Sequence, residues 1–470
     1  MNTLPKHIHV IGISGVATSA LAIAFHKAGV KVTGSDKGFF PPVSTELEKH
    51  GISFYAGWHP EKMIENGVPD LVVITTASGS QNPETLYAKE HNIPHLGYME
   101  VFGKYFIREH SIVATGTWGK TSLTALLSFI LDKAGLDPSY MFGGVSLSHD
   151  ASAQLTTSSY SVFEGDEYKS SPTDTTPKFF YYKPTHLLLT AVSWDHADLY
   201  PTEESYFNVF KKLIAGIPND GLIVANADQA KVTELLKEYS HKKVTYGINQ
   251  ADYVFSNIQQ SKNGIDFNIS HAGKTYMIHS PMIGAFQAEN ITGDFAMAHS
   301  IGIEPTVIIE AIAQFKGLKR RLEKRLDGEM AKSGVTVIDD IAHSAEKATS
   351  VLENVKAIYS GKIFVIFEPN SGGRSRESNA KYDNAFKDAD YVLVPRLTKL
   401  KIADDDTQKP MDGSELFEVI MKTHKDVAYF DDDESLVNFL ILNAKKGDCI
   451  VFLGSHGFRG MIEETVKRLA

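Results

Sequence analysis

Cysteine is almost absent from this chain: Cys449 is the only one in 470 residues. One thiol makes neither an internal disulfide nor a cysteine metal site, so a reducing compartment is expected. No stretch approaches the roughly 18 uninterrupted apolar residues of a membrane helix. Nor is there a Lys/Arg block, since 47 basic residues face 57 acidic ones for a formal charge of −10. That balance argues against a nucleic acid held through its phosphates. The opening Met1-Asn2-Thr3-Leu4-Pro5-Lys6-His7 has no basic segment followed by an apolar stretch and a small-residue cleavage site. A cytoplasmic protein is expected, monomeric or homodimeric, with neither nucleic acid nor membrane as partner.

What is present is an ordinary globular composition, 43% hydrophobic and 22% charged, in a chain too long for one core. Ile8-His9-Val10-Ile11-Gly12, a helical stretch from Val16 to Ala28 and Val30 to Asp36 read as a βαβ unit, with Leu71 to Thr76 a further buried strand. A second α/β pattern starts at Ser111 to Thr115, continues through a helix from Leu123 to Ala134, and includes strands at Thr185 to Thr190 and Gly221 to Asn226. A third begins at Val335 to Asp340, after the basic segment Lys316-Gly317-Leu318-Lys319-Arg320-Arg321, with strands at Ile363 to Phe367, Tyr391 to Val394 and Cys449 to Leu453. The expected fold is α/β in three domains: residues 1–108 Rossmann-like, 109–315 a central P-loop ATPase-type domain, and 316–470 again Rossmann-like.

The strongest chemical signal is Ala114-Thr115-Gly116-Thr117-Trp118-Gly119-Lys120-Thr121-Ser122, set between a strand and a helix. There, backbone N–H groups and the helix start face phosphates, Lys120 reaches the terminal phosphates, and the Thr121 hydroxyl can ligate Mg²⁺. The usual first glycine of such a loop is Ala114 here, and a plain glycine turn is the bland reading. Val10-Ile11-Gly12-Ile13-Ser14-Gly15, with Asp36 ending the next strand, is a weaker fingerprint, compatible with NAD, a nucleoside diphosphate or a simple turn. Two phosphate loops in one chain point to two nucleotides. Glu164-Gly165-Asp166-Glu167-Tyr168 and Trp194-Asp195-His196-Ala197-Asp198 fall at strand ends on the P-loop edge. Glu164 and His196, with Thr121, are candidate metal ligands there, although each taken singly reads equally well as a capping or surface residue.

These motifs together resemble the Mur ligases over nearly the whole chain. His7 to Ser19 with Val32-Thr33-Gly34-Ser35-Asp36 is similar to the family's UDP-N-acetylmuramate-binding domain, which implies a sugar-nucleotide site at Gly12, Ile13, Ser14, Gly15, Ser35 and Asp36. Gly116 to Ser122 resembles the ATP loop, where the Trp118 position is commonly His. Gly284-Ala285-Phe286-Gln287-Ala288-Glu289-Asn290 resembles an ATP-contacting motif, with Phe286 and Gln287 as departures and Asn290 kept. Gly317-Leu318-Lys319-Arg320-Arg321-Leu322 resembles the entry to the last domain, whose arginine, Arg321 here, reaches the nucleotide. Asp339 to His343 matches the next motif as far as His343.

Glu164 to Tyr168 with Ser171-Pro172-Thr173-Asp174 and Pro177-Lys178-Phe179, Phe39 to Thr45, and Phe367-Glu368-Pro369 resemble the murein peptide ligases most, and UDP-N-acetylmuramate–L-alanine ligases next. Ser344-Ala345 and Asn370 depart from the family pattern in the domain expected to hold the amine. The resemblance implies a ligase that uses ATP and Mg²⁺ to join the carboxylate of UDP-N-acetylmuramate to the amine of a recycled L-alanyl-γ-D-glutamyl-diaminopimelate peptide, or alternatively of L-alanine. Lys120, Glu164, His196 and Arg321 would be the catalytic residues. An NAD-dependent dehydrogenase leaves the P-loop unexplained. A nucleotide-binding pseudo-enzyme would fit the departures.

Overall fold

In the computed structural model, which describes residues 3–40, 43–75, 81–171, 174–237, 239–399 and 410–470, the first apolar run becomes the central strand of a sheet. Strands β1 (His7–Ile11), β2 (Lys31–Asp36), β3 (Ser53–Ala56), β4 (Leu71–Ile74) and β5 (His95–Gly97) pair in parallel in the order β3-β2-β1-β4-β5. Helices α1 (Val16–Lys27), α2 (Val43–Lys49), α3 (Pro60–Ile64), α4 (Pro83–Glu90) and α5 (Tyr98–Tyr105) connect them. Successive side chains of a strand face opposite ways. Ile8 and Val10 accordingly join the core that contains α1, while Ile11 meets Met63 of α3 and Ala88 of α4. The strand expected to run to Thr76 ends at Ile74. Thr76, Pro41, Pro42, Pro172 and Thr173 lie outside the described residues.

The second sheet comprises β6 (His110–Thr115), β7 (Ser139–Met141), β8 (Ala153–Gln154), β9 (Tyr160–Gly165), β10 (His186–Leu189), β11 (Leu222–Asn226), β12 (Lys243–Gly247), β13 (Tyr253–Ser261), β14 (Gly264–His271) and β15 (Lys274–Ser280). Its order is β15-β14-β13-β12-β11-β10-β6-β9-β7-β8, so β6 lies between β10 and β9, parallel to both. Helices α6 (Lys120–Lys133), α7 (Lys178–Tyr181), α8 (Glu203–Ala215), α9 (Ala230–Leu236), α10 (Gln287–Ser300) and α11 (Pro305–Gln314) accompany it. Phe102 and Phe106 at the end of α5 pack edge-on against Phe163 of β9, so the first two sheets share one hydrophobic core.

The third sheet, β16 (Glu323–Leu326), β17 (Thr336–Asp340), β18 (Ile363–Glu368), β19 (Tyr391–Pro395), β20 (Val427–Phe430) and β21 (Cys449–Gly454), has the order β16-β17-β21-β18-β19-β20. Among the described residues, only β16 runs antiparallel to its neighbour. Helices α12 (Ala345–Ile358) and α13 (Gly413–Met421) cover one face, where Val365 and Val451 point; α14 (Asp433–Asn443) and α15 (Met461–Leu469) cover the other, where Phe364 and Ile450 point. The chain thus has the expected three α/β sheets. They form two compact units: residues 1–258, 267–279 and 288–316 in one, and 259–266, 280–287 and 317–470 in the other.

Candidate functional site

The P-loop emerges from the buried C-terminal end of β6 and turns into α6 at Lys120. Gly116 has φ +126°, and a Cβ there would meet Thr190 Oγ1 at 2.2 Å and Ala191 O at 2.7 Å, so only glycine lets the loop lie against the end of β10. Gly119 has φ +82°, and an added Cβ would meet Asn290 Oδ1 at 2.8 Å, which places Asn290 of α10 directly on the loop. Thr117 N donates to Ala191 O at 2.9 Å, and Thr190 Oγ1 donates to Trp118 O at 2.8 Å. The loop's backbone is therefore held by the next strand, while the Trp118 side chain stands 47% exposed. Thr121 and Ser122 occupy the first turn of α6 and are half-buried.

Five side chains gather beside Lys120. Thr121 Oγ1 donates to Glu164 Oε1 at 2.8 Å, and Glu164 Oε2 accepts from Gly143 N at 2.6 Å. Lys120 Nζ donates to Glu167 Oε2 at 2.7 Å and lies 4.0 Å from Asp166 Oδ1. His196 Nε2 is 3.7 Å from Glu167 Oε1. Sequence reasoning grouped Thr121, Glu164 and His196; the structure joins the first two and sets His196 against Glu167. Asp166, Glu167 and His196 bring ligand atoms within 4.8 Å of one another. Two carboxylates and an imidazole fit a small divalent cation that keeps waters, and Thr121 with Glu164 offers a second set of oxygen donors.

Glu167 is 1% exposed and doubly anchored, its carboxylate by Tyr206 OH (3.1 Å) and its carbonyl by Tyr200 OH (2.5 Å). Burial raises the Asp166 carboxyl, but the Lys178 ammonium, with Lys120 farther off, outweighs it and holds Asp166 below the usual carboxylate value. His196 sits at φ 55° one residue after Asp195, whose Oδ1 accepts from His196 N at 2.7 Å. Neighbouring acids in a Glu-Gly-Asp-Glu run were visible in sequence. Which of them face the lysine was not, because β9 ends at Gly165 and alternation stops there.

At the C-terminal ends of β1 and β2, all six residues expected at the sugar-nucleotide site come together. Gly12 N and Ile13 N donate to Ser35 O at 2.8 and 3.1 Å, Ser14 N and Oγ donate to Asp36 Oδ2 at 3.0 and 2.5 Å, and Gly15 caps α1. The sheet order reverses beside β1, which is where open α/β sheets bind ligands. Glu84 was not foreseen. Fully buried in the first turn of α4, it accepts hydrogen bonds from Ser35 Oγ, from Tyr55 OH at 2.6 Å and from His59 N at 2.8 Å. Burial raises its carboxyl, and the His9 ring 3.6 Å away, with the hydrogen bonds from Ser35 and Tyr55, more than offsets that. The signal in the sequence was Asn82-Pro83-Glu84, a helix start.

In the second unit the two neighbouring arginines differ. Arg320 donates to the carbonyls of Gly454, Ser455 (3.1 Å) and His456 (2.9 Å) and pairs with Asp339 at 3.3 Å. Arg321 is exposed. His343 Nδ1 bonds Ile341 O at 2.7 Å, and burial lowers its pKa. Ser344 is the N-cap of α12, its Oγ accepting from Lys347 N at 3.4 Å, so the departure after His343 serves to start a helix. Asn370 Oδ1 accepts from Gly373 N at 3.0 Å and folds a turn that returns Arg374 to Glu368, at 3.3 Å, with both side chains buried.

This fold and these side chains define a P-loop enzyme of the α/β class. Family models match three consecutive stretches: the Mur ligase family, catalytic domain over residues 7–110, the Mur ligase middle domain over 114–298, and the Mur ligase, glutamate ligase domain over 320–456. A UDP-N-acetylmuramate–L-alanine ligase of Clostridium botulinum is 31% identical over 457 residues, covering 96% of this chain and 95% of its own. The chain belongs to the Mur ligase family and is an ATP-dependent carbon–nitrogen ligase, with ATP and Mg²⁺ as its cofactors. Among solved structures, a UDP-N-acetylmuramate–alanine ligase of Thermotoga maritima has the same fold, with a TM-score of 0.79 at 24% identity over 99% of both chains. A murein peptide ligase of Psychrobacter arcticus gives 0.67 at 25% identity, covering 99% of this chain and 98% of that one.

Proposed function

We propose that this ligase uses ATP to activate the carboxylate of UDP-N-acetylmuramate as an acyl phosphate and then joins it to the amine of L-alanine. The observation that carries the chemistry is the P-loop lysine facing carboxylates at 2.7 and 4.0 Å. In this reading residues 1–108 bind the sugar nucleotide through Gly12, Ile13, Ser14, Gly15, Ser35 and Asp36. Residues 109–315 hold ATP on Gly116 to Ser122 and Asn290. Residues 316–470 bring Arg321 and His343 to the nucleotide and bind the amine.

A carboxylate is a poor electrophile, and bringing it to a triphosphate sets anion against anion. Lys120 and Arg321 offset that charge, and bound Mg²⁺ adds Lewis-acid stabilisation of the phosphoryl oxygens. Thr121 and Glu164 fit one ion, and Asp166, Glu167 and His196 another.

L-Alanine is the amine supported by the names of the similar curated proteins, which favours it over the recycled tripeptide expected from sequence. The tripeptide stays as the second reading because the Psychrobacter arcticus peptide ligase spans 98% of its own length on this chain. Phosphate release from Mg-ATP with UDP-N-acetylmuramate, comparing L-alanine with L-alanyl-γ-D-glutamyl-diaminopimelate, tests the proposal. Release only with the tripeptide moves the chain to the second reading, and release with neither amine overturns both.

A further inference from the structure

Asp166 lies between two ammonium groups. Its Oδ2 accepts from Lys178 Nζ at 2.6 Å, and its Oδ1 is 4.0 Å from Lys120 Nζ. Lys178 opens α7 and is fixed there by the backbone, since its own N–H donates to Tyr168 O at 3.2 Å and Phe179 N donates to Asp166 O at 3.3 Å. The Lys178 side chain is half-buried, and Tyr98 lies near enough to interact with it electrostatically. Tyr98 starts α5, at the end of the first sheet, so Lys178 stands where the sugar-nucleotide part of this unit meets the P-loop.

Forming an acyl phosphate requires a carboxylate oxygen to bond the γ-phosphorus while the bond to the β,γ-bridging oxygen breaks and its electron pair leaves with ADP. Two anions must approach, and each needs a cation of its own. Lys120 starts the helix behind the phosphate loop and is committed to the phosphates. The geometry points to Lys178 as the group that binds the acceptor carboxylate of the sugar nucleotide and aims it at the γ-phosphate, a carboxylate of the kind it already pairs with in Asp166. This assignment rests on the proposed function. Lys178 is a binding and positioning residue whose ammonium takes a carboxylate as a point charge and transfers no proton.

Titration calorimetry on the full chain, comparing UDP-N-acetylmuramate with UDP-N-acetylglucosamine, which lacks the carboxylate, separates this role from a structural ion pair. Lys178→Ala is expected to weaken binding of the carboxylate-bearing sugar nucleotide at least about tenfold and to leave the other within about twofold. Lys178→Arg is expected to recover part of the loss. In steady-state kinetics the KM for UDP-N-acetylmuramate rises while the KM for ATP holds. Equal weakening of both sugar nucleotides, or no weakening of either, overturns the assignment while leaving the proposed function standing. A wild-type chain that binds neither sugar nucleotide overturns both.

Discussion

Lys120 Nζ and Glu167 Oε2 are 2.7 Å apart, and the glutamate is buried behind the lysine rather than exposed beside it. The P-loop ammonium is therefore paired with a carboxylate of the chain itself. A triphosphate gains Lys120 only by displacing a carboxylate that itself needs a new partner. A divalent cation arriving with the nucleotide supplies that partner, because Glu167 then has Asp166 and His196 as co-ligands. Glu167→Gln is expected to bind ADP in EDTA about tenfold more tightly than wild type, by removing one negative charge from the loop. The same variant is expected to need more Mg²⁺ for turnover. ADP affinity in EDTA that is unchanged or weaker would show that Glu167 does not compete for Lys120.

Lys120→Ala is expected to lower phosphate release at least about a hundredfold, the scale of losing a charge donor aimed at the transition state. Affinity for UDP-N-acetylmuramate is expected to stay within about twofold, since the residues at Gly12 to Asp36 are untouched. Loss of phosphate release and of UDP-N-acetylmuramate affinity together would mean that the two nucleotides are assigned to the wrong sheets.

His196 Nε2 lies 3.7 Å from Glu167 Oε1. His196→Ala is accordingly expected to shift the Mg²⁺ concentration for half-maximal rate upward about tenfold, with a smaller change in the rate at saturating Mg²⁺. An unchanged Mg²⁺ curve would remove His196 from the cation site.

Local features of this chain were legible in its sequence because their causes are local. A buried parallel strand is a continuous apolar run, and a phosphate loop is a glycine pattern between strand and helix, so β1, β6, β10, β11 and the loop at Gly116 to Lys120 could be read directly. The partner of Lys120 could not, because Glu167 is 47 positions away and reaches it only after β9 pairs with β6. Strands β13 to β15 were missed for a different reason: exposed residues in β13 and β15 dilute the apolar signal. The chain changes sheet between β5, ending at Gly97, and β6, starting at His110. Compactness ignores that change, because Phe102 and Phe106 bury themselves on Phe163.

Two adjacent arginines offer a sharp contrast. Arg320 is spent on three carbonyls and on Asp339, itself 1% exposed, so Arg320→Ala leaves buried acceptors short of a donor. A loss of about 2–3 kcal/mol is expected, tempered by the remaining Arg325 contact at 3.4 Å, and thermal unfolding should fall by several degrees. Arg321→Ala, at an exposed position, is expected to change stability by less than about 0.5 kcal/mol and to cost activity at least about tenfold. The reverse pattern would exchange the roles of the two residues.

Stability should also fall on acidification, for a reason remote from the P-loop. His149 is enclosed by Phe129, Tyr140 and Phe142, with Nδ1 on Ser146 Oγ at 2.9 Å and Nε2 on Ser128 Oγ at 3.2 Å. Burial lowers its pKa to about 4, with Asp150 pulling weakly the other way, and burial does the same to His186. Between an unfolded value near 6.5 and a folded value near 4, the unfolded chain binds protons that the folded chain refuses. Stability is therefore full above about pH 6.5 and drains away as pH falls toward 4. For His149 alone the loss between pH 7 and 4.5 is about 2 kcal/mol by that linkage. His149→Gln keeps a side chain able to bond Ser128 and Ser146 but does not titrate. Chemical denaturation of wild type and variant across this range should show the variant's stability falling by about 2 kcal/mol less. Parallel curves would mean that His149 is protonated in the folded chain as readily as in the unfolded one.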